Sequence, residues 1–387
     1  MRPAMFELTD DQKKAKDRIL AWLKARDRPA LTLGGYAGTG KTTVIARTLK
    51  TFARGKFRTA FCCFTGKASE VLGRKLAEEE ALFPQDYCGT IHGLIYSPVT
   101  EPGDDGHEAL RWERKPRLEH DLIVVDEASM VSEDLWADLR SYGVPILAVG
   151  DHGQLPPIHG RESVMTAPDV VLEGIHRQAA DNPIIKLSVL ARETGRIPSG
   201  RYGDGVLKTD DPESVWTFSS PGKVMYLCGY NNTRTALNRA VREKLGEHAK
   251  TPRPGERVIC LRNAREKKIH NGGLGTLFSI AERGERLFDA DIQMDSQARF
   301  KGAVSRAQFG ARYPLDRDNP AYRAQKDGYL FDWGYALTVH KAQGSEAERV
   351  VLIEERLPNM SDEDWRRWLY TGVTRAASEL VIIGAEA

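Results

Sequence analysis

The chain has 387 residues, of which 41% are hydrophobic and 28% charged, with a formal net charge of +2. That profile is globular and predicts two or three domains at ~100–200 residues each, every one able to bury its own core. No apolar run reaches the ~18 residues that span a bilayer, and Met1–Asp11 lacks the basic-then-apolar order of a signal peptide.

The five cysteines, Cys62, Cys63, Cys88, Cys228 and Cys260, form no C-x-x-C pair. This argues against a zinc site or a disulfide framework and for reduced thiols in a cytoplasmic protein. The near-neutral charge leaves nucleic-acid binding open, because a strand needs a local basic groove and not a basic whole. Clusters such as Arg111, Arg114, Lys115 and Arg117, or Arg262, Arg265, Lys267 and Lys268, would suit one, although most charge runs are solvated faces.

In chain order, Ala30–Leu33, Thr59–Phe64, Leu122–Val125 and Ile146–Val149 are predicted strands, with helices at Lys41–Phe52 and Ala68–Ala81. Such alternation predicts a parallel sheet covered on both faces. The segment 94–120 carries Gly103-Asp104-Asp105-Gly106 between extended runs and predicts a β-hairpin. The Gly/Pro/Asp-rich stretch Thr194–Lys223 reads as a connector. A second α/β set follows, with strands at Met225–Cys228, Val258–Leu261, Tyr335–Val339, Arg349–Ile353 and Leu380–Ile383 and helices at Thr233–Leu245 and Asp362–Thr374. Gly-punctuated β-like stretches at Phe278–Asp332 predict a small β insertion. The expected layout is a first domain over 1–190, a connector over 191–224 and a second domain over 225–387.

Gly35-Tyr36-Ala37-Gly38-Thr39-Gly40-Lys41-Thr42 fits G-x-x-x-x-G-K-[ST] between a strand and a helix. Glycines let backbone N–H groups wrap phosphate oxygens, and the helix N-terminus adds partial positive charge. Lys41 then neutralises the β- and γ-phosphates while Thr42 ligates Mg²⁺. Leu122–Val125 delivers Asp126 to the Mg²⁺ shell and Glu127 as general base for water. The next strand runs into Gly150-Asp151-His152-Gly153-Gln154-Leu155-Pro156-Pro157, where Gln154 is either a sensor of the γ-phosphate or its water, or part of a Pro-stiffened turn. No [NT]-K-x-D motif marks a GTPase.

This ordered set resembles the superfamily-one DNA helicases, and most nearly their RecD-like and phage Dda-like branch that moves 5′ to 3′. Leu8-Thr9-Asp10-Asp11-Gln12, Phe64-Thr65-Gly66-Lys67-Ala68, Gly89-Thr90-Ile91-His92, Gly174-Ile175-His176-Arg177-Gln178, the run from Ala336 to Glu346 and the run from Trp368 to Ala376 fall in the order of that family's remaining motifs. The resemblance implies two RecA-like P-loop domains in tandem, with a β-hairpin insertion in the first and a small SH3-like β insertion in the second. It implies ATP and Mg²⁺ as cofactors. Gln12, Gly35, Gly38, Thr39, Gly40, Lys41, Thr42, Thr43, His176 and Glu346 become the ATP-binding set. Lys41, Glu127, Gln154, Arg177 and Arg375 become the catalytic one, and an arginine reaching a γ-phosphate across an interface contributes ~10³–10⁵ in rate. Thr65, Lys67, Thr90, His92, Thr338 and His340 become strand contacts.

Tyr96 or Trp112 on the hairpin would stack against a base pair, unless the hairpin is only decoration. Expected partners are single-stranded DNA and its junctions with duplex, with replication or repair proteins at 278–332. The working form is expected to be a monomer in the cytoplasm, near the nucleoid. Two rivals share parts of the pattern: a translocase that separates no strands, and a P-loop switch or loader that does not move. RNA as the track is a third and weaker reading.

Overall fold

The computed structural model describes residues 7–53, 57–102, 108–156, 164–174, 181–247, 251–263, 267, 269–296, 298–316, 322 and 324–384. The chain divides into two compact units, 1–179 and 180–387.

The first unit is built on six parallel strands: β1 (Ala30–Gly35), β2 (Thr59–Cys63), β3 (Tyr87–Thr90), β6 (Leu122–Asp126), β7 (Ile146–Gly150) and β8 (Val170–Leu172), in the spatial order β3-β2-β6-β7-β1-β8. Strand residues alternate between two cores. Leu31, Leu33, Phe61, Cys63, Leu122, Val124, Leu147 and Val149 face one side, where α1 (Asp10–Ala25), α2 (Lys41–Ala53) and α3 (Gly66–Glu78) bring Ile19, Trp22, Ile45, Leu49, Leu72 and Leu76. Ala60, Cys62, Ile123, Val125, Ile146 and Ala148 face the other, where α4 (Ile91–Ile95) and α5 (Glu133–Arg140) bring Ile91, Leu94, Leu135 and Leu139. Burial on both faces explains why these strands read as continuous apolar runs. Fully burying one such side chain contributes roughly 1.5–3 kcal/mol.

The expected hairpin is present as β4 (Tyr96–Pro102) and β5 (Glu108–Arg114), paired antiparallel from Tyr96↔Arg114 outward. It leaves the body directly from α4. The Tyr142 hydroxyl lies 2.9 Å from both the Ile95 and the Lys115 carbonyls at its root.

The second unit holds another six-stranded sheet, β17-β11-β18-β19-β10-β9, formed by β9 (Gly200–Gly203), β10 (Val206–Thr209), β11 (Met225–Cys228), β17 (Ala336–Thr338), β18 (Ala347–Ile353) and β19 (Ala376–Ile383). All its pairings are parallel except that of β9 with β10. The stretch expected to be a connector is therefore partly sheet. Val206 is buried, and β10 runs beside β19 from Val206↔Leu380 to Thr209↔Ile383. Asp204 and Gly205 form the turn between β9 and β10, where Gly205 takes φ +71°.

The β insertion begins earlier than the pattern predicts. The run at Val258–Leu261 was expected in the α/β set. Instead β12 (Arg257–Cys260) lies in a five-stranded antiparallel sheet, β15-β14-β13-β12-β16, with β13 (Leu274–Arg283), β14 (Leu287–Met294), β15 (Arg299–Ser305) and β16 (Phe331–Trp333). The reason is its partners: Val258 and Cys260 pack with Leu277, Phe288, Ile292, Phe300 and Phe331 in a core of their own.

Helix α7 (Asn231–Lys244), which follows α6 (Pro183–Thr194), joins this sheet to the larger one through a buried polar stripe at i, i+4 and i+8. Arg234 pairs with Asp332 at 2.9 Å. Asn238 accepts from the Tyr335 and Ala336 N–H groups, each at 3.0 Å. Arg242 pairs with Glu256 and stacks over Trp333, 4.1 Å from the ring centre. Helix α8 (Asp362–Val373) packs on α6.

Candidate active site

Strand β1 ends at Gly35 and α2 begins at Lys41, so the loop between them is short and must turn tightly. Gly38 and Gly40 take φ of +79° and +77°, a region where a β-carbon costs ~1–2 kcal/mol. Thr39 is buried and its hydroxyl donates to the Tyr36 carbonyl at 2.9 Å. The Lys41 ammonium donates to the Gly35 carbonyl at 2.7 Å and the Tyr36 carbonyl at 3.1 Å, which holds the cation against its own loop. Thr42 and Thr43 follow in the first turn, partly exposed.

Gln12 supports the loop from α1. Its amide oxygen accepts from the Thr9 N–H, closing a capping box, and its Nε2 donates to the Thr39 carbonyl at 2.9 Å. The side chain expected to read adenine is thus buried against the phosphate loop.

Strand β6 delivers the two acids. Asp126 accepts from the Glu127 N–H at 3.0 Å. Burial pushes its carboxyl above the usual range, opposed by that hydrogen bond and by the charges of Lys41 and Lys75. Glu127 sits at φ 53°, ψ 40°, a left-handed conformation that a non-glycine residue holds only where its surroundings impose it. Hard oxygen donors from Thr42 and Asp126 suit Mg²⁺.

Strand β7 lies between β6 and β1, so its loop emerges between the acids and the phosphate loop. Asp151 is buried and accepts from the Gly153 N–H at 2.9 Å and from Gln154 Nε2 at 3.4 Å. A carboxylate only accepts, so this contact fixes which way the Gln154 amide points. The Gln154 amide oxygen is buried without a partner among the described residues. The open amide oxygen of Gln154 can accept from a water proton, and the second N–H of its Nε2 remains a donor.

The expected strand contacts of this unit collect at the carboxyl ends of β2 and β3, which are neighbours through Cys63↔Thr90. Thr65 and Thr90 are helix N-caps, accepting from the Ala68 and Gly93 N–H groups at 3.2 and 3.1 Å. Lys67 is in the first turn of α3. The His92 ring lies 6.1 Å from that of Phe64 and 5.7 Å from that of Tyr96.

Tyr96, expected to stack on a base pair, stands at the root of the hairpin with its hydroxyl held by Asp138. Its side chain is thus anchored at the base of the hairpin. The side chain of Trp112 lies outside the described residues, as do His176 and Arg177. The approach to these last two is fixed, because Asp11 accepts from the Glu173 and Gly174 N–H groups at 3.0 and 3.2 Å.

In the second unit, Thr338 ends β17 and its hydroxyl accepts from the Lys341 N–H at 3.3 Å. His340 follows, largely buried, and burial lowers its pKa. Glu346 is exposed. Arg375 is buried, donating to the Thr371 carbonyl at 3.0 Å, the Ser345 carbonyl at 3.1 Å and the Thr374 hydroxyl at 3.1 Å. Arg375 thus meets the late part of the run from Ala336 to Glu346 at Ser345, by the amino ends of β18 and β19, whereas Thr338 and His340 lie at the carboxyl end of β17.

Residues 19–160 match the AAA domain family and residues 334–383 the UvrD-like helicase C-terminal domain family. The chain is 27% identical to the ATP-dependent RecD2 DNA helicase of Deinococcus radiodurans, over 92% of this chain and 47% of that protein. It is 25% identical to the RecBCD enzyme subunit RecD of Mycobacterium tuberculosis, over 98% of this chain and 69% of that one. Among solved structures, a Bacteroides Pif1 helicase in complex with ADP-AlF3 and single-stranded DNA shares the fold, with a TM-score of 0.55, 17% identity, and coverage of 99% of this chain and 93% of that one. Over nearly its whole length the chain is similar to RecD-like helicases.

The chain spans about half the length of the RecD2 helicase it matches. Its fold is the tandem RecA-like one that the motifs predict. Sequence reasoning passed over three of its working residues. Asp151 orders the sensor loop, Asp11 ties α1 to the segment leading to Arg177, and Lys75 adds charge beside Asp126. Asp151 was within reach, since it stands inside the quoted run from Gly150 to Pro157. Asp11 and Lys75 lie on helix faces whose direction only the fold supplies.

Proposed function

We propose that the chain is an ATP-dependent DNA helicase that moves 5′ to 3′ along single-stranded DNA and separates duplex strands. One observation carries the reading: β6, β7 and β1 stand side by side and bring Glu127, Gln154 and Lys41 to one edge of one sheet. That is the equipment for hydrolysing a bound triphosphate: a cation for the phosphates, an acceptor for water and a base. Mg²⁺, held by Thr42 and through water by Asp126, would screen the charge on the β- and γ-phosphates. Arg177 and Arg375 are the cations that the motif order offers for the γ-phosphate. Thr65, Lys67, Thr90, His92, Thr338 and His340 hold the strand through its backbone, which suits travel over any sequence.

The protein acts as a monomer on single strands and their junctions with duplex, in the cytoplasm. Among the described residues no helix is long and apolar enough to cross a membrane.

The test is strand displacement with ATP on duplexes carrying a 5′ or a 3′ tail, run beside Lys41→Ala. Displacement of the 5′-tailed duplex alone, lost in the variant, is expected. DNA-stimulated hydrolysis without displacement would favour the translocase reading, and absence of DNA stimulation the static loader.

A further inference from the structure

The G-x-x-x-x-G-K-[ST] pattern does not specify the residue after Gly35, and here it is aromatic, Tyr36. Its ring meets a second one in the loop after β7. The ring centres of Tyr36 and His152 are 4.2 Å apart at an interplanar angle of 47°, a closer contact than most aromatic pairs make. The Tyr36 ring belongs to neither core of the first unit and is partly exposed.

The backbone makes room for the pair. A β-carbon on Gly153 would stand 2.9 Å from the Tyr36 ring, and one on Gly34 would stand 3.1 Å from His152 Nδ1. Neither glycine has a positive φ, so what these positions need is space.

Each ring is one step from a working group. The Tyr36 carbonyl accepts from the Lys41 ammonium at 3.1 Å and from the Thr39 hydroxyl at 2.9 Å. The residue that carries the ring therefore also seats the cation of the phosphate loop. On the other side, His152 stands between Asp151 and Gly153. Asp151 accepts from the Gly153 N–H at 2.9 Å and from Gln154 Nε2 at 3.4 Å. One carboxylate thus closes the turn that bears the His152 ring and orients the Gln154 amide. The same turn begins at Gly150, where a β-carbon would stand 3.1 Å from the Ser129 nitrogen and 3.2 Å from that of Ala128. It touches the acid loop at Gly150 and the phosphate loop at His152 and Gly153.

We propose that Tyr36 is a positioning residue for hydrolysis: through His152 its ring fixes the turn that aims the Gln154 amide at the attacking water. This rests on the role proposed above for Gln154. The stack sets the separation between the loop that holds the phosphates and the amide that meets the water, where a misplacement of about 1 Å can cost ~10² in rate.

The test is a double-mutant cycle between Tyr36 and Gln154, read as steady-state ATP hydrolysis by the full chain with oligo-dT present. Tyr36→Phe, His152→Ala and His152→Phe are measured alongside. Affinity for a fluorescent ATP analogue and thermal melting are taken for every variant. Tyr36→Ala and His152→Ala should each lower kcat about tenfold, while affinity moves by less than about twofold. Tyr36→Phe and His152→Phe keep a ring on each side and should stay within about twofold of wild type. The deciding comparison is the double variant: Tyr36→Ala should lower kcat no further once residue 154 is alanine, because it acts only through that amide.

A double variant whose loss is the product of the two single losses overturns the proposal, since Tyr36 would then act independently of Gln154. So does a Tyr36→Ala variant that loses ATP affinity with kcat intact, which would confine the residue to the phosphate loop. An equal loss in Tyr36→Phe overturns it as well, because the hydroxyl and not the stack would carry the effect. If Tyr36→Ala melts too low to assay, His152→Ala enters the same cycle from the other side of the stack with the same expected outcomes. A wild type that hydrolyses no ATP would instead remove the function proposed above, and this inference with it.

Discussion

Gln12 Nε2 donates to the Thr39 carbonyl across 2.9 Å inside the first unit, so the phosphate loop is held from behind by the first helix. Thr39 is fixed from its other side by the Tyr36 carbonyl. Removing the amide strands a buried acceptor at ~1–3 kcal/mol and opens the capping box. Gln12→Ala should therefore melt lower, by ~2–4 °C per kcal/mol for a unit of this size, and should raise KM for ATP more than it lowers kcat. Melting curves and steady-state hydrolysis check both. A variant with lowered melting and an unchanged KM would confine Gln12 to stability.

Glu127 is assigned to water and not to nucleotide binding. Glu127→Gln keeps shape and backbone but cannot take a proton, so kcat should fall ~10²–10⁴-fold while ATP affinity stays near wild type. Equilibrium binding of a fluorescent ATP analogue beside single-turnover hydrolysis separates the two. A parallel loss of affinity would show that the acid helps hold the nucleotide.

The hairpin root and its arms should be separable. Tyr96, Asp138, Tyr142 and Lys115 secure the root next to the α4 strand contacts. Replacing residues 98–112 by a short turn leaves that root in place. DNA-stimulated hydrolysis is expected to survive while displacement of tailed duplexes is lost. If displacement persists, the hairpin does not part the strands.

How much of this was readable in advance depended on how local each signal is. The phosphate loop, the acid pair and the sheet strands of the first unit are written in contiguous residues: a buried run, then glycines or acids at its carboxyl end. Strand β12 was misplaced because Arg257–Cys260 has the composition of either sheet, and only partners at Leu274–Thr276 and Phe331–Trp333 decide between them. Strand β10 was hidden by the turn residues beside it. The stripe Arg234, Asn238 and Arg242 went unread within the helix predicted at Thr233–Leu245, because nothing near it in sequence announces Asp332 or Glu256. The anchoring of the Tyr96 hydroxyl was unreadable for a similar reason, since Asp138 comes from α5.

His340 gives a dependence on pH with a definite sign. Burial lowers its pKa from the ordinary 6.5. As pH falls below 6.5 the unfolded chain takes up a proton that the folded one does not, so stability drops in acid. His120 in the first unit acts in the same direction. Buried carboxyls with raised pKa, such as Asp332 and Glu354, act in the opposite one. The difference between wild type and His340→Asn isolates the term: between pH 6.5 and 5 the wild type should lose stability faster than the variant. Parallel curves would mean that His340 titrates normally.

The stripe on α7 has an evolutionary consequence. Two of its side chains, Arg234 and Arg242, pair with carboxylates of the antiparallel module, Asp332 and Glu256, while Asn238 holds the start of β17 in the larger sheet. A graft carrying residues 255–333 into another scaffold would arrive without its mounting, and a host stripped of that module would be left with two guanidinium groups parted from their carboxylates. Helix and module are therefore expected to be inherited, exchanged or discarded together.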